Sequence, residues 1–239
     1  MKYVNTLLLT ILGLFFGTSI FAHALWIETK ASGKIGQAHE VLVFYGEYAQ
    51  DERDITSKWY SDVKELTLWL VGPDKQKIKL TTTLGENVVT ASFIPKKEGQ
   101  YTLLVSHPAK DLAGTTQYHF LSSTVVNVGK ISTQLDAEAI SNELKIFPET
   151  TSEYKANMPV KLKAMHNGLL KGAASVSIFS PSGWSKVSTT NKDGILEFIP
   201  LWPGRYVVEV TEYQEKKGEQ NGKAYGALWQ GATHSFEVK

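Results

Sequence analysis

One strand-and-turn pattern occurs twice in this chain, and that repetition constrains the fold more than any other feature. Phe93-Ile94-Pro95, Gly99, Tyr101 and Val105 return as Phe198-Ile199-Pro200, Gly204, Tyr206 and Val210, all at one offset. Upstream, Gly72-Pro73-Asp74 is matched by Ser180-Pro181-Ser182; downstream, Val125–Val128 is matched by Ser235–Val238. The matches at one offset, flanked by others displaced by only a few residues, indicate two copies of one strand-pair design. In each copy a glycine stands two positions before a tyrosine at the opening of a strand. The ring can then close a corner of a β-sandwich, so Tyr101 and Tyr206 read as structural.

The rest of the chain has the same character. Short alternating or apolar runs cover Leu25–Thr29, Glu40–Tyr45, Leu66–Val71, Ile78–Thr82, Val88–Phe93, Tyr101–Ser106 and Tyr118–Val128. The second half repeats the pattern over Val160–Met165, Val176–Phe179, Lys186–Thr190, Leu196–Ile199, Tyr206–Thr211 and His234–Val238. Turn signals separate them, among them Gly85-Glu86-Asn87 and Asn191-Lys192-Asp193-Gly194. This spacing predicts an all-β chain of two tandem immunoglobulin-like antiparallel β-sandwiches, residues 23–129 and 153–239. Between them, Leu135–Leu144 reads as a short helix, and 130–152 as an inter-domain linker and the main hinge.

Lys2 and the apolar run Thr6–Phe16, followed by small residues toward Ala22, read as a cleaved signal peptide over residues 1–22. The run is short for a membrane span. A periplasmic or secreted product is expected, not itself membrane-spanning. Cleavage after Ala22 makes His23 the first residue of the mature chain; cleavage after Ala24 discards it. The first cut is preferred.

Chemistry by other routes is narrowed by what is missing. A formal net charge of +1 argues against nucleic acid as a partner. With no cysteine there is no disulfide framework, thiolate metal site or cysteine nucleophile. Gly218–Ala224 has the wrong spacing for a phosphate loop, and neither a G-x-S-x-G elbow nor an H-E-x-x-H helix occurs. No enzyme class is indicated. Asp51-Glu52-Arg53-Asp54 reads as a solvated loop. Trp184, Trp202, Tyr225 and Trp229 are candidates for stacking on a sugar, though aromatic residues in a sandwich more often pack its core.

Six histidines remain. Under immunoglobulin-type strand order, His23, His107 and His119 reach one end of the first sandwich, with the Gly46–Lys58 loop and its Glu47, Asp51 and Glu52. His39 falls at the opposite end; it, His166 and His234 read as structural or surface residues. An N-terminal amine titrates near 8, roughly two units below lysine, so it becomes a ligand readily at neutral pH. An N-terminal His supplies that amine and its own ring nitrogen as a chelate. His23, His107 and His119 are therefore the candidate metal ligands, a nitrogen-rich set suited to nickel, cobalt, copper or zinc rather than magnesium or calcium.

Several stretches carry a family resemblance. His23-Ala24-Leu25-Trp26-Ile27-Glu28, Val43-Phe44-Tyr45-Gly46-Glu47-Tyr48, Lys58-Trp59-Tyr60-Ser61-Asp62-Val63 and His107-Pro108-Ala109-Lys110-Asp111-Leu112 resemble a family of bacterial periplasmic proteins of formally unknown function. Ser180-Pro181-Ser182-Gly183-Trp184 and Gly222-Lys223-Ala224-Tyr225 fit that family's second half, which is carboxypeptidase-regulatory-like. Members are often labelled as substrate-specific periplasmic components of nickel uptake. The resemblance implies capture of nickel or cobalt and delivery to a membrane metal-uptake transporter. Two other readings stay open: a module that grips a glycan or partner protein without metal, and a histidine-brace copper oxygenase, for which only His23 matches.

Overall fold

The computed structural model describes residues 23–130, 134–150 and 153–239; the signal peptide read over residues 1–22 lies outside the described residues. The first half runs β1 (Ala24–Thr29), β2 (Ser32–Gly33), β3 (His39–Glu47), β4 (Glu52–Arg53), β5 (Leu68–Val71), β6 (Lys77–Lys79), β7 (Thr82–Leu84), β8 (Val89–Phe93), β9 (Gly99–Ala113) and β10 (Thr116–Val128). The second runs β11 (Leu144–Pro148), β12 (Val160–His166), β13 (Leu169–Leu170), β14 (Ser175–Phe179), β15 (Ser185–Thr189), β16 (Ile195–Phe198), β17 (Gly204–Gln214), β18 (Gly218–Gln220), β19 (Lys223–Tyr225) and β20 (Ala227–Val238).

The strands alternate as half-buried strands should. In β3, Val41, Val43 and Tyr45 turn into a first core with Leu25 and Ile27 of β1, packing against Leu103, Val105, Phe120 and Val126 of β9 and β10. Phe44 and Trp26 point the other way and meet Val207 of β17. A second core joins Ile146, Leu162 and Leu196 to Val176, Val208 and Phe236. Leu121 belongs to this second core although its neighbour Phe120 belongs to the first. Successive residues of a strand face opposite ways, so the two cores lie on opposite faces of one sheet.

That sheet is the main departure from a pair of separate sandwiches. Its strand order is β15-β14-β17-β20-β10-β9-β5-β6, with β2 alongside β10. The last strands of the two halves, β10 and β20, pair in parallel from Thr116↔Ala227 to Thr124↔Ser235. The seam is a ladder of buried hydroxyls. Thr124 Oγ1 donates to the Ser235 carbonyl at 2.8 Å, Ser123 Oγ meets His234 Nδ1 at 2.8 Å, and Thr233 Oγ1 meets Ser122 Oγ at 2.8 Å. The smaller sheets, β1-β3-β8-β7 with β4 on β3 and β11-β12-β13 with β16 on β12, complete the layers.

The repeat is visible in atoms. Gly99 and Gly204 have φ of 130° and 126°, and a Cβ on either would stand 2.8 Å from the ring of Pro73 or Pro181 respectively. Glycine is required twice for the same close turn-on-turn approach. Tyr101 Oη accepts the Lys96 and Lys97 N–H groups at 3.2 Å, and Tyr206 Oη accepts the Trp202 N–H at 3.2 Å.

The stretch read as linker, hinge and short helix is different in the structure. Residues 137–139 form a turn and no helix, and Leu144–Pro148 is β11, paired with β12. The Asp136 carboxylate accepts the Glu138 and Ala139 N–H groups at 3.2 and 3.4 Å, a local turn that competes with helix. Leu135, Ile140 and Phe147 are buried against Val71 and Leu104, covering the outer face of β5 and β9. The apolar spacing that suggested a helix serves this face instead. Asn142 Nδ2 fastens the segment to the Val105 and Ser122 carbonyls at 3.1 Å each.

Candidate metal centre

His23 immediately precedes β1, whose first residue Ala24 lies opposite Gly46. Its ring stacks on Tyr45 with centroids 5.4 Å apart and planes at 27°. Nδ1 is 3.5 Å from Glu47 Oε1 and Nε2 is 3.3 Å from Asp54 Oδ2. The two carboxylates thus bracket the imidazole, one at each nitrogen.

Gly46 makes this arrangement reachable. Its φ is 149°, and a Cβ there would lie 2.4 Å from the Glu52 carbonyl oxygen. The bare α-carbon lets residues 52–54 fold back on β3, where Arg53 pairs with Gly46 and the Asp54 N–H donates to the Tyr45 carbonyl at 2.9 Å. The charge run 51–54 is therefore more than a solvated loop. Arg53 sits 4.9 Å above the Phe44 ring and 3.2 Å from Glu28, while Asp51 stays exposed.

Two carboxyl groups at and behind the site are shifted upward by burial. Burial pushes the Glu47 carboxyl above its ordinary value, against the opposing pull of His23, and Glu52 and Asp54 add to the rise. Glu209 of β17, from the other half, is fully buried and pushed up to about 8, mainly by desolvation and further by Glu47. Burial also raises the Tyr45 hydroxyl, with Asp54 the next contributor.

His107 and His119 stand close by on β9 and β10, but each has its own partners. His107 pairs with Phe120 in the register, and Phe120 packs 5.5 Å from Tyr45, so these histidines and His23 share one end of the first half. His107 Nε2 is 3.0 Å from Asp62 Oδ1. Burial raises the Asp62 carboxyl, but the Lys110 N–H and His107 outweigh it and hold it below its ordinary value. His119 lies on the opposite face from Phe120, with Nδ1 3.2 Å from Glu143 and Nε2 2.9 Å from Ser106 Oγ. Among the described residues, His23 shares no hydrogen bond, ion pair or ring contact with either, and no three His, Asp or Glu side chains converge as a ready metal cage. His39 is buried at the far end of β3, bonded to Thr29 at 2.8 Å, and desolvation lowers its proton affinity. His166 ends β12, and His234 is sealed in the seam, its value lowered to about 3 by burial.

Asp54, Asp62, Glu143 and Glu209 were not singled out as site residues from sequence. Glu47 was placed at this end, inside the Val43–Tyr48 stretch. For Asp54 the available signal was the glycine at position 46 next to a charge run, a bend that turns the run back on its strand. Glu209 had none: it alternates in β17 like any strand residue.

The chain is thus an all-β protein with two cores built on one shared sheet and a histidine–carboxylate cluster at the start of β1. It belongs to the family described as "Domain of unknown function (DUF4198)", which matches residues 20–213. None of the curated proteins matches it. Among solved structures it is similar to a DUF4785 family protein from Legionella pneumophila, with 14% identity, a TM-score of 0.32, and 77% of this chain and 52% of that one covered. It therefore spans about half the length of that protein. It is also similar to alpha-2-macroglobulin from Salmonella, at 9% identity, TM-score 0.30, covering 90% and 15%. A segment of two fibronectin type III domains from chicken tenascin matches at 11% identity and TM-score 0.25, covering 86% and 95%. No functional reading rests on these likenesses.

Proposed function

We propose that the mature, exported chain binds one divalent transition-metal ion as cargo through an N-terminal His23, and passes nickel or cobalt to a membrane uptake transporter. The observation that carries this reading is the pair of carboxylates at the two ring nitrogens of His23. If the signal is cut after Ala22, the freed amine and Nδ1 of the same residue form a chelate, and Glu47 lies on the Nδ1 side to complete the set. Nε2 keeps Asp54 as its partner, the usual arrangement in which a carboxylate orients a metal-bound imidazole. The amine is the missing member of a cluster whose side chains alone do not close around an ion. An amine, an imidazole and a carboxylate suit nickel, cobalt, zinc or copper, and the negative charge offsets the cation. His107, at the same end, would serve as a neighbour or weaker ligand, whereas His119 turns to the opposite face and engages Glu143 and Ser106.

The test is calorimetric titration of mature protein with Ni(II) and Co(II). One ion per chain is expected. His23→Ala and acetylation of the N-terminus should each abolish tight binding. Glu47→Gln and Asp54→Asn should weaken it by about 10- to 100-fold, the usual effect of removing a carboxylate beside a metal-bound histidine. Undiminished binding by the acetylated protein, or a mature chain starting at Leu25, would end this reading.

A further inference from the structure

A second constellation lies on the other face of the shared sheet, built from three separate parts of the chain. Ser106 of β9 is exposed, and its Oγ is 2.9 Å from His119 Nε2. His119 Nδ1 is 3.2 Å from Glu143 Oε1. A hydroxyl on one ring nitrogen and a carboxylate on the other is the geometry that turns a serine into a nucleophile. The carboxylate is held in turn. Gln230 Nε2, from the strand position directly beside His119, donates to Glu143 Oε1. The adjacent Asn142 pins the same segment to the backbone on either side, at Val105 and Ser122. The relay is therefore anchored by β9, β10, β20 and the segment leading into β11, rather than hung on a mobile loop.

We propose that Ser106, His119 and Glu143 form an acyl-transfer site, with Ser106 as nucleophile, acting on small activated carboxylic esters. With Nδ1–H donated to Glu143, Nε2 carries the lone pair that accepts the Ser106 hydroxyl. Burial lowers the proton affinity of His119, partly opposed by Glu143 and reinforced by His107. Ser106 Oγ attacks the ester carbonyl carbon while its proton moves to Nε2. The tetrahedral adduct expels the alcohol, which leaves with that proton, and an acyl-serine remains. Water then attacks the acyl carbon, losing a proton to Nε2 and returning the hydroxyl to Ser106 as the carboxylic acid departs. Glu143 is a positioning residue: it fixes the tautomer and steadies the imidazolium formed in each step. Ser106 stands open on a strand and not at the base of a cleft, so the acyl group it takes is a small one reached from solvent. This site is separate from the His23 cluster and stands or falls without it.

The experiment uses mature protein stripped of metal by chelation and treated with a fluorophosphonate probe, followed by intact and peptide mass spectrometry. A single adduct on Ser106 is expected. It should vanish in Ser106→Ala and persist in Ser182→Ala. Glu143→Gln should slow labelling and the burst of p-nitrophenyl acetate hydrolysis at least about tenfold, with the pH profile of the rate displaced; a purely structural carboxylate would leave that profile in place. Circular dichroism melts on each variant separate loss of relay from loss of fold. No adduct on the folded wild type, an adduct elsewhere, or an unchanged labelling rate in folded His119→Gln would each overturn the proposal.

Discussion

Glu209 is a carboxyl group sealed between the two halves. It pairs with Thr233 in the β17–β20 register, and the bare α-carbon of Gly231 leaves it room: a Cβ there would stand 3.0 Å from its Oε1 and 2.4 Å from the Trp229 ring. Its proton affinity rises from an ordinary 4.5 to about 8 on folding. The folded state therefore holds a proton that the unfolded state releases, and stability falls as pH rises from about 4.5 to about 8. Each tenfold change in proton affinity is worth about 1.4 kcal/mol, so the full effect is several kcal/mol. Glu209→Gln should leave metal-free protein nearly unchanged near pH 4 and stabilise it at pH 8, as read from urea midpoints at both. Equal midpoint shifts at the two values would show that the acid is not held neutral. His234 acts with the opposite sign. Its affinity falls from 6.5 to about 3 on burial, so the stability it supports is lost as pH drops through that window. Between about pH 4.5 and 6.5 the two slopes cancel, so these residues together predict a plateau there, which a urea series across pH would reveal.

The turn from β3 into β4 shows what an element can hide from its sequence. Gly46 must stay a glycine, because a side chain at φ 149° would also run into the Glu52 carbonyl. Gly46→Ala should cost roughly 2 kcal/mol or more in stability and weaken Ni(II) binding by loosening Asp54. Gly114→Ala, at φ 63° with no atom near its Cβ, should cost only about 1 kcal/mol and leave binding intact. Equal losses in the two would mean that crowding at Gly46 is unimportant. The β8, β9 and β17 openings were legible in the sequence because their turns and tyrosines are fixed by local geometry repeated twice. The ends were not. β9 continues through Pro108 to Ala113, helped by a register shift between Gln117 and His119, and β20 starts at Ala227, ahead of the first apolar alternation noticed at His234. Those extensions are imposed by partner strands, which no local pattern records. The same holds for β11 and for the carboxylates that meet His23, His107 and His119: each comes from a segment distant in sequence, so its role exists only after folding.

At the scale of the molecule, the parallel β10–β20 seam and the packed 135–148 segment tie the halves into one cooperative body. Heating should give a single calorimetric transition, with Thr233→Val lowering it by about 1 kcal/mol or more through the lost hydroxyl bonds. Two resolved transitions would mean that the seam is weaker than its ladder suggests. The seam has another effect, on how the chain keeps to itself in a crowded compartment. An unpaired strand is a template for any other chain that passes, and the long strands β10 and β20 each occupy the other's open side. What remains at the rims of this sheet is short and charged: β6 exposes Lys77 and Lys79, and β15 exposes Lys186. A chain ending at Tyr225 would leave the flank of β10 bare from Thr116 to Thr124. It should aggregate on refolding while the full chain stays monodisperse, so the second half acts as a shield for the first.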